Sequence, residues 1–324
     1  MKETNKTIDV SRFEEEVRVF APATVANMIC GFDVLGFAVH EPGDEIIMRR
    51  SEKPGVRLLN ITGDEGRLPK DPNKNTVSAC AEMLLKDLGL SDKVGLEIEL
   101  HKHMPIGSGL GSSAASTVGG LYATNEILGK PFTKPELLPY CIEGERLACG
   151  HPHADNVGPA LFGGITLIRG EAIKPDLIQL PTPEKLHASI IFPQVDVPTR
   201  DARQLIKEKV KLKDAVVQWG NIAGLVAGLY REDYALITRS MKDVLIEPTR
   251  AILIPQFEEM KKIALSEGAM SFGISGSGPS VVAMSTKMET AEKISSAIQK
   301  HLQEQDIDFF AYVSKVNTEG PKRL

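Results

Sequence analysis

The sequence is short of every feature that announces a secreted, membrane-bound or polyanion-binding protein. It holds only four cysteines (Cys30, Cys80, Cys141 and Cys149), and no two form a Cys-x-x-Cys pair. A disulfide scaffold is therefore excluded, and a reducing, cytoplasmic setting is expected. No run approaches the ~18 apolar residues of a membrane span. The start, MKETNKTIDVSRFEEE, lacks the apolar core of a secretory signal, so residues 1–14 are expected to form a mobile tail. With 38 basic against 43 acidic residues the net charge is −5, which gives no bulk attraction toward nucleic acid or anionic membrane. Nor is glycine abundant enough, at 28 in 324 residues, for a collagen-like or low-complexity chain.

What is present is placement. Five glycines fall within 107–120 and four within 268–278, two places where backbone must approach something closely. The length favours two domains. Strand patterns run over 17–27 and 46–60, and a helix is expected to open at Asn75 and close at Gly89. In 94–103, Val94, Leu96, Ile98 and Leu100 lie on one face and Glu97, Glu99, His101 and His103 on the other, the alternation of a half-buried strand. Helices follow over 112–128 and 134–149, then a polar loop HPHADN and a strand near 162–169. The Pro-rich run 171–185 reads as the junction between a domain at 15–175 and one at 176–324. The second half mixes strands (187–193, 271–275, 280–285, 307–316) with a loop-helix (199–210) and helices (213–230, 232–240, 255–267, 288–303). Without a regular βα repeat, the class expected is α+β.

The strongest local signal is Gly107-x-Gly109-x-Gly111 followed by Ser112, Ser113, Ala114 and Ala115. Successive glycines let backbone N–H groups converge on an anion, and the helix start behind them adds free N–H groups and a positive dipole end. No Gly-Lys-Ser/Thr closes the loop, and the spacing is not Gly-x-Gly-x-x-Gly, so neither a Walker A loop nor a dinucleotide fingerprint is present.

PIGSGLGSSAAS (105–116) resembles the phosphate-binding motif of the GHMP small-molecule kinases. Two further segments stand in the order that family shows. APATVANMICGFDVLGFAV (21–39) is similar to the substrate-side motif of homoserine kinases, and GISGSGPSVVAM (273–284) is similar to the third GHMP motif. The resemblance implies a ribosomal protein S5 domain 2-like N-terminal domain and a ferredoxin-like C-terminal domain, with ATP and substrate between them. It implies ATP contacts from Asn75, from Pro105, Ile106, Gly107, Ser108, Gly109, Leu110, Gly111, Ser112, Ser113, Ala114 and Ala115, and from Gly276 and Gly278. Ser113 and Glu145 are implied as the Mg²⁺ pair, and a homodimer is implied.

Asp33 offers a carboxylate for an ammonium, Asn27 an amide, and Arg203 and Arg250 guanidinium forks for a carboxylate, the complement of an amino-acid zwitterion. In homoserine kinases the residues matching Asn27, Asp33, His153, Arg203 and Arg250 bind substrate, so phosphorylation of L-homoserine is the implied activity. A GHMP kinase acting on mevalonate or shikimate is the alternative, as is a non-catalytic ATP or amino-acid sensor. Such acids lack the ammonium that Asp33 would pair. Other superfamily members hold a general-base Asp where this chain has Asn156. An amide cannot take the proton, so direct attack of the substrate hydroxyl is expected, with Asp155 pointing elsewhere on an extended loop. Met28-Ile29-Cys30-Gly31 replaces the usual glycine-rich stretch after Asn27, and Cys30 is expected to be a small packed residue. His101-x-His103 is expected to be part of a solvated strand face. His151 carries no role, and neither HExxH nor GxSxG is present.

Overall fold

The computed structural model describes residues 6, 9–149, 154–171, 174–195, 204–206 and 209–324. The first sheet is built on β1 (Glu16–Ala26) and the long antiparallel β2 (Leu35–Ser51), followed by β3 (Gly55–Thr62) and β4 (Gly95–His101). β3 and β4 are parallel neighbours, a pairing that needs a crossover, and α1 (Thr76–Asp87) supplies it. β5 (Ile165–Glu171) pairs with the start of β2, and β6 (Lys174–Leu180) pairs with β5. Helices α2 (Ser112–Ile127), α3 (Lys134–Cys149) and α4 (Ala154–Phe162) complete this half.

α2 is buried on nearly all sides, which its small residues permit. A Cβ at Gly119 would lie 2.2 Å from Ile46 Cδ1, and one at Gly120 would lie 2.6 Å from the Val77 carbonyl oxygen. The helix is therefore clamped between the sheet and α1, and its N-terminus is held rigidly where the glycine loop delivers it.

The second sheet contains β7 (His187–Pro193), β8 (Ser271–Ile274), β9 (Val281–Ser285) and β10 (Phe309–Lys315) in the antiparallel order β10-β7-β9-β8. Between β7 and β8 lie α5 (Leu212–Arg231), α6 (Tyr234–Ser240), α7 (Glu247–Arg250) and α8 (Phe257–Ser266). α9 (Met288–Glu304) joins β9 to β10 and seats Ala291, Ile294, Ile298 and Leu302 in the core from one face. This is the ferredoxin-like strand order, so the α+β class and two-domain architecture implied by the resemblance are observed.

The boundaries differ from the expected ones. β6 extends the first sheet to Leu180, which moves the junction from 175/176 to the short stretch 181–186. The Pro-rich run hid this strand because its half-buried residues do not alternate. β11 (Lys322–Arg323) returns to pair with Val19 and Phe20 of β1, and Val316 bridges Val39, so the chain's end belongs to the first sheet. At the end of the expected tail, Phe13 and Glu14 pack on the body: Phe13 lies against the core, Glu14 N–H donates to the Ile127 carbonyl at 2.9 Å, and the Glu14 carboxylate pairs with Arg323. Among the described residues, no helix is long and apolar enough to cross a membrane.

Candidate active site

A cleft of about 450 Å³ opens between the two halves, and both glycine clusters reach it. On one wall, Gly107, Ser108, Gly109 and Gly111 run into Ser112 and Ser113 at the start of α2. Gly107, Gly109 and Gly111 all hold left-handed φ (76°, 79° and 67°), the conformation that glycine adopts without a steric penalty. Gly111 is also required by space, since a Cβ there would lie 2.1 Å from Thr24 Oγ1. No side chain caps α2, so its first-turn N–H groups and positive dipole end are left to an anion. The buried Ser108 hydroxyl lines the cleft and has no protein partner. Ser113 Oγ donates to Glu145 Oε1 at 2.9 Å, bringing a hydroxyl and a buried carboxylate together at the helix start.

The floor beneath this loop is charged. Lys102 Nζ pairs with Asp44 while both side chains are almost fully buried, and it donates to the Ser112 carbonyl at 3.0 Å and Ser116 Oγ at 3.1 Å. Asp44 Oδ1 also accepts from the backbone N–H groups of His103 (3.0 Å) and Met104 (3.2 Å). Burial pushes the Asp44 carboxyl up, and Lys102 with the two N–H groups opposes it. Sequence reasoning missed this pair, although a signal was present. Continuing the period of Val94, Leu96, Ile98 and Leu100 by one step lands on Lys102, a cation on a buried face.

Asn75 caps α1, its Oδ1 accepting from Val77 N–H at 3.2 Å, and it lines the cleft beside Leu68, Pro69 and Leu147. The cap residue of α1 is thus also a cleft-lining residue. Pro105, Leu110, Ala114 and Ala115 do not line the cleft. The side chains of Leu110, Ala114 and Ala115 are in the core, which leaves only their backbone for ligand contact.

The second glycine loop does less than its composition implies. Gly276 and Ser277 line the cleft, whereas Gly278 is buried against the first loop. A Cβ on Gly109 would lie 2.6 Å from the Gly278 carbonyl oxygen, Ser275 Oγ donates to the Gly109 carbonyl at 2.8 Å, and Ser280 N–H donates to that of Ser108 at 3.1 Å. The C-terminal loop therefore braces the N-terminal one from behind. Much of its glycine content serves loop-on-loop packing.

The opposite wall carries the amino-acid-type groups. Asn27 Nδ2 donates to the Gly276 carbonyl at 2.9 Å while its Oδ1 accepts from Asp33 N–H at 3.0 Å. Arg250 Nη1 donates to the same carbonyl at 3.0 Å, and its guanidinium lies 5.1 Å from the Phe32 ring. Asn27, Met28 and Ile29 take left-handed φ of 71°, 41° and 68°, and Asp33 takes 58°. Such a conformation costs about 1–2 kcal/mol per non-glycine residue. Burial of Met28, Ile29 and Cys30 between the halves offsets it, which explains how this chain dispenses with the usual glycines. Cys30 is the packed residue expected: burial pushes its thiol up to about 12.

Asn156 Oδ1 accepts from Thr24 Oγ1 at 2.7 Å, which fixes the amide orientation. The extended loop expected here is instead the first turn of α4, and Asp155, expected to point elsewhere, also lines the cleft. A polar first turn is easily mistaken for a loop, because its acidic residue suits a helix start as well as a turn. His151, His153 and Arg203 lie outside the described residues. His101 Nδ1 contacts Thr62 Oγ1 at 2.8 Å, and no group of three or more metal-ligating side chains occurs among the described residues.

Family models agree with this geometry: GHMP kinases N terminal domain matches residues 75–164, and GHMP kinases C terminal matches 225–304. A homoserine kinase from Chlorobium phaeovibrioides is 47% identical over 320 residues, spanning 96% of this chain and 100% of that protein. The crystal structure of a homoserine kinase from Cytophaga hutchinsonii superposes with a TM-score of 0.93 at 54% identity, covering 96% of this chain and 98% of that one. A mevalonate kinase from L. major shares the fold alone, with a TM-score of 0.71 at 14% identity. The chain belongs to the homoserine kinase family of the GHMP kinases.

Proposed function

We propose that the cleft transfers the γ-phosphoryl group of ATP to the side-chain hydroxyl of L-homoserine, giving O-phospho-L-homoserine for threonine biosynthesis. One observation carries this reading: a phosphate cradle and a carboxylate–guanidinium wall, from opposite ends of the chain, line one cleft. The cradle of Gly107–Ser113 would hold the ATP phosphates, with the apolar group at Leu68, Pro69 and Leu147 beside the adenine. Asp33 would take the substrate ammonium, and Arg250 its carboxylate; His153 and Arg203 join this set by resemblance. The hard oxygen pair of Ser113 and Glu145 fits Mg²⁺, which when bound neutralises phosphate charge. Phosphoryl transfer of this kind is chiefly positioning and charge neutralisation, and both walls provide for it.

In this reading the positioned hydroxyl attacks directly, without a dedicated base: Asn156, whose amide oxygen accepts from Thr24, cannot take up the substrate proton. Asp155 on the same wall favours a second reading, in which its carboxylate takes the proton. A coupled ADP-release assay with L-homoserine tests the activity, and Asp155→Asn decides between the two routes. Near-normal turnover supports direct attack; loss of nearly all turnover with unchanged substrate binding supports the base.

A homodimer is proposed as well. Leu212, Val216, Trp219 and Tyr230 are exposed at helical spacing along α5, an apolar face suited to a second copy. Sedimentation measures it directly. The free, buried thiols of Cys30, Cys80 and Cys141 support a cytoplasmic setting.

A further inference from the structure

The two walls of the amino-acid side meet at a residue that lines neither. Gln218, on the inner face of α5, is 6% exposed and uses both ends of its amide, one across the domain boundary and one within its own half. Its Nε2 donates to the Cys30 carbonyl at 2.6 Å, and its Oε1 accepts from Val244 N–H at 2.9 Å. Cys30 belongs to the left-handed loop that carries Asn27 and Asp33. Val244 belongs to the segment leading into α7 and Arg250. That segment is fixed in turn by Asp243, whose carboxylate accepts from the N–H groups of Leu245, Ile246 and Glu247 at 2.9–3.0 Å. One amide thus ties the strand of backbone bearing the anionic subsite to the one bearing the cationic subsite.

We infer that Gln218 is a positioning residue that sets the separation between Asp33 and Arg250, and so selects substrates whose ammonium and carboxylate are spaced as in an α-amino acid. The loop needs such a tie. Its residues hold left-handed conformations, and Cys30 and Gln218 are both buried, so water is a poor substitute for the amide. An aliphatic side chain in this place leaves a buried carbonyl and a buried N–H without partners, and the loop moves to satisfy them. Asn221, one turn along α5, provides the internal control. Its Nδ2 donates to the Lys242 carbonyl at 2.8 Å but does not bond to the substrate loop.

The inference rests on the homoserine reading, so the wild-type protein is assayed first with L-homoserine and ATP. Gln218→Met, similar in length but without the amide, is expected to raise KM for L-homoserine by roughly 10- to 100-fold. KM for ATP is expected to stay within about twofold, because the phosphate wall is not tied to α5. Asn221→Ala is expected to lower Tm while leaving both KM values in place. If Gln218→Met does not fold, Gln218→Asn gives the same readout, since its amide is one methylene too short to reach both the Cys30 carbonyl and Val244 N–H. An unchanged KM for L-homoserine, or an equal rise for both substrates, overturns the inference. So does an equal rise in KM for L-homoserine in Asn221→Ala. Absence of turnover in the wild type overturns the functional reading instead.

Discussion

The phosphate wall and the amino-acid wall solve opposite problems with opposite means. The phosphate wall is contiguous in sequence, residues 107–113, and uses glycine wherever a left-handed φ is needed. The amino-acid wall gathers Asn27, Asp33, Arg250 and the Gly276 carbonyl from across the chain. There the same φ region is imposed on Asn, Met, Ile and Asp. The first wall is shaped by local stereochemistry and a helix end; the second is shaped by tertiary contacts that hold an unfavourable loop. Substitutions should therefore separate them: damage on one side alters ATP-linked chemistry or the scaffold, damage on the other alters recognition of the amino acid.

The largest effect is expected under the phosphate wall. Asp44→Asn leaves Lys102 buried without its carboxylate, which should destabilise the fold by about 3–5 kcal/mol. Urea denaturation measures this, and a loss below about 1 kcal/mol would show that the pair is dispensable to the scaffold. Glu145→Gln or Ser113→Ala, by contrast, should leave stability nearly intact and lower kcat by roughly a hundredfold to a thousandfold, about 3–4 kcal/mol of transition-state stabilisation. Steady-state kinetics across a magnesium titration reads it, and the variant should need more Mg²⁺. On the other wall, Asp33→Asn or Arg250→Lys should raise KM for L-homoserine by roughly 10- to 100-fold, or about 1.5–3 kcal/mol, with KM for ATP little changed. Equal effects on both substrates would dissolve the distinction between the walls.

The same contrast explains what the sequence discloses. A contiguous Gly-x-Gly-x-Gly-Ser-Ser run states its own chemistry, since its φ requirement, free N–H groups and helix start are all local. The α+β class was legible for the same reason, because strand alternation and helix periodicity are short-range. Lys102 and Asp44 lie 58 positions apart, and only a buried cation continuing an apolar strand face hinted at the pair. Gln218 had no local mark at all. Its place is fixed by which carbonyl and which N–H the fold leaves unpaired beside α5. The second glycine cluster was legible as a close approach, but not what it approaches: Gly278 meets the first loop, and Gly276 and Ser277 meet the cleft. The junction was misplaced because β6 is half-buried without alternation, and the return of β11 to β1 leaves no signature in two residues.

The central claim is that one cleft couples a phosphate cradle to a wall that reads both charges of an amino acid. The direct measurement is kcat/KM for phosphorylation of L-homoserine beside two hydroxyl analogues, 4-hydroxybutyrate without the ammonium and 2-amino-1,4-butanediol without the carboxylate. L-Homoserine should be the good substrate, with each analogue poorer by about a hundredfold, the loss expected when a charged partner in the cleft is left unpaired. Turnover of either analogue, or of mevalonate or shikimate, at a rate matching L-homoserine would contradict the account.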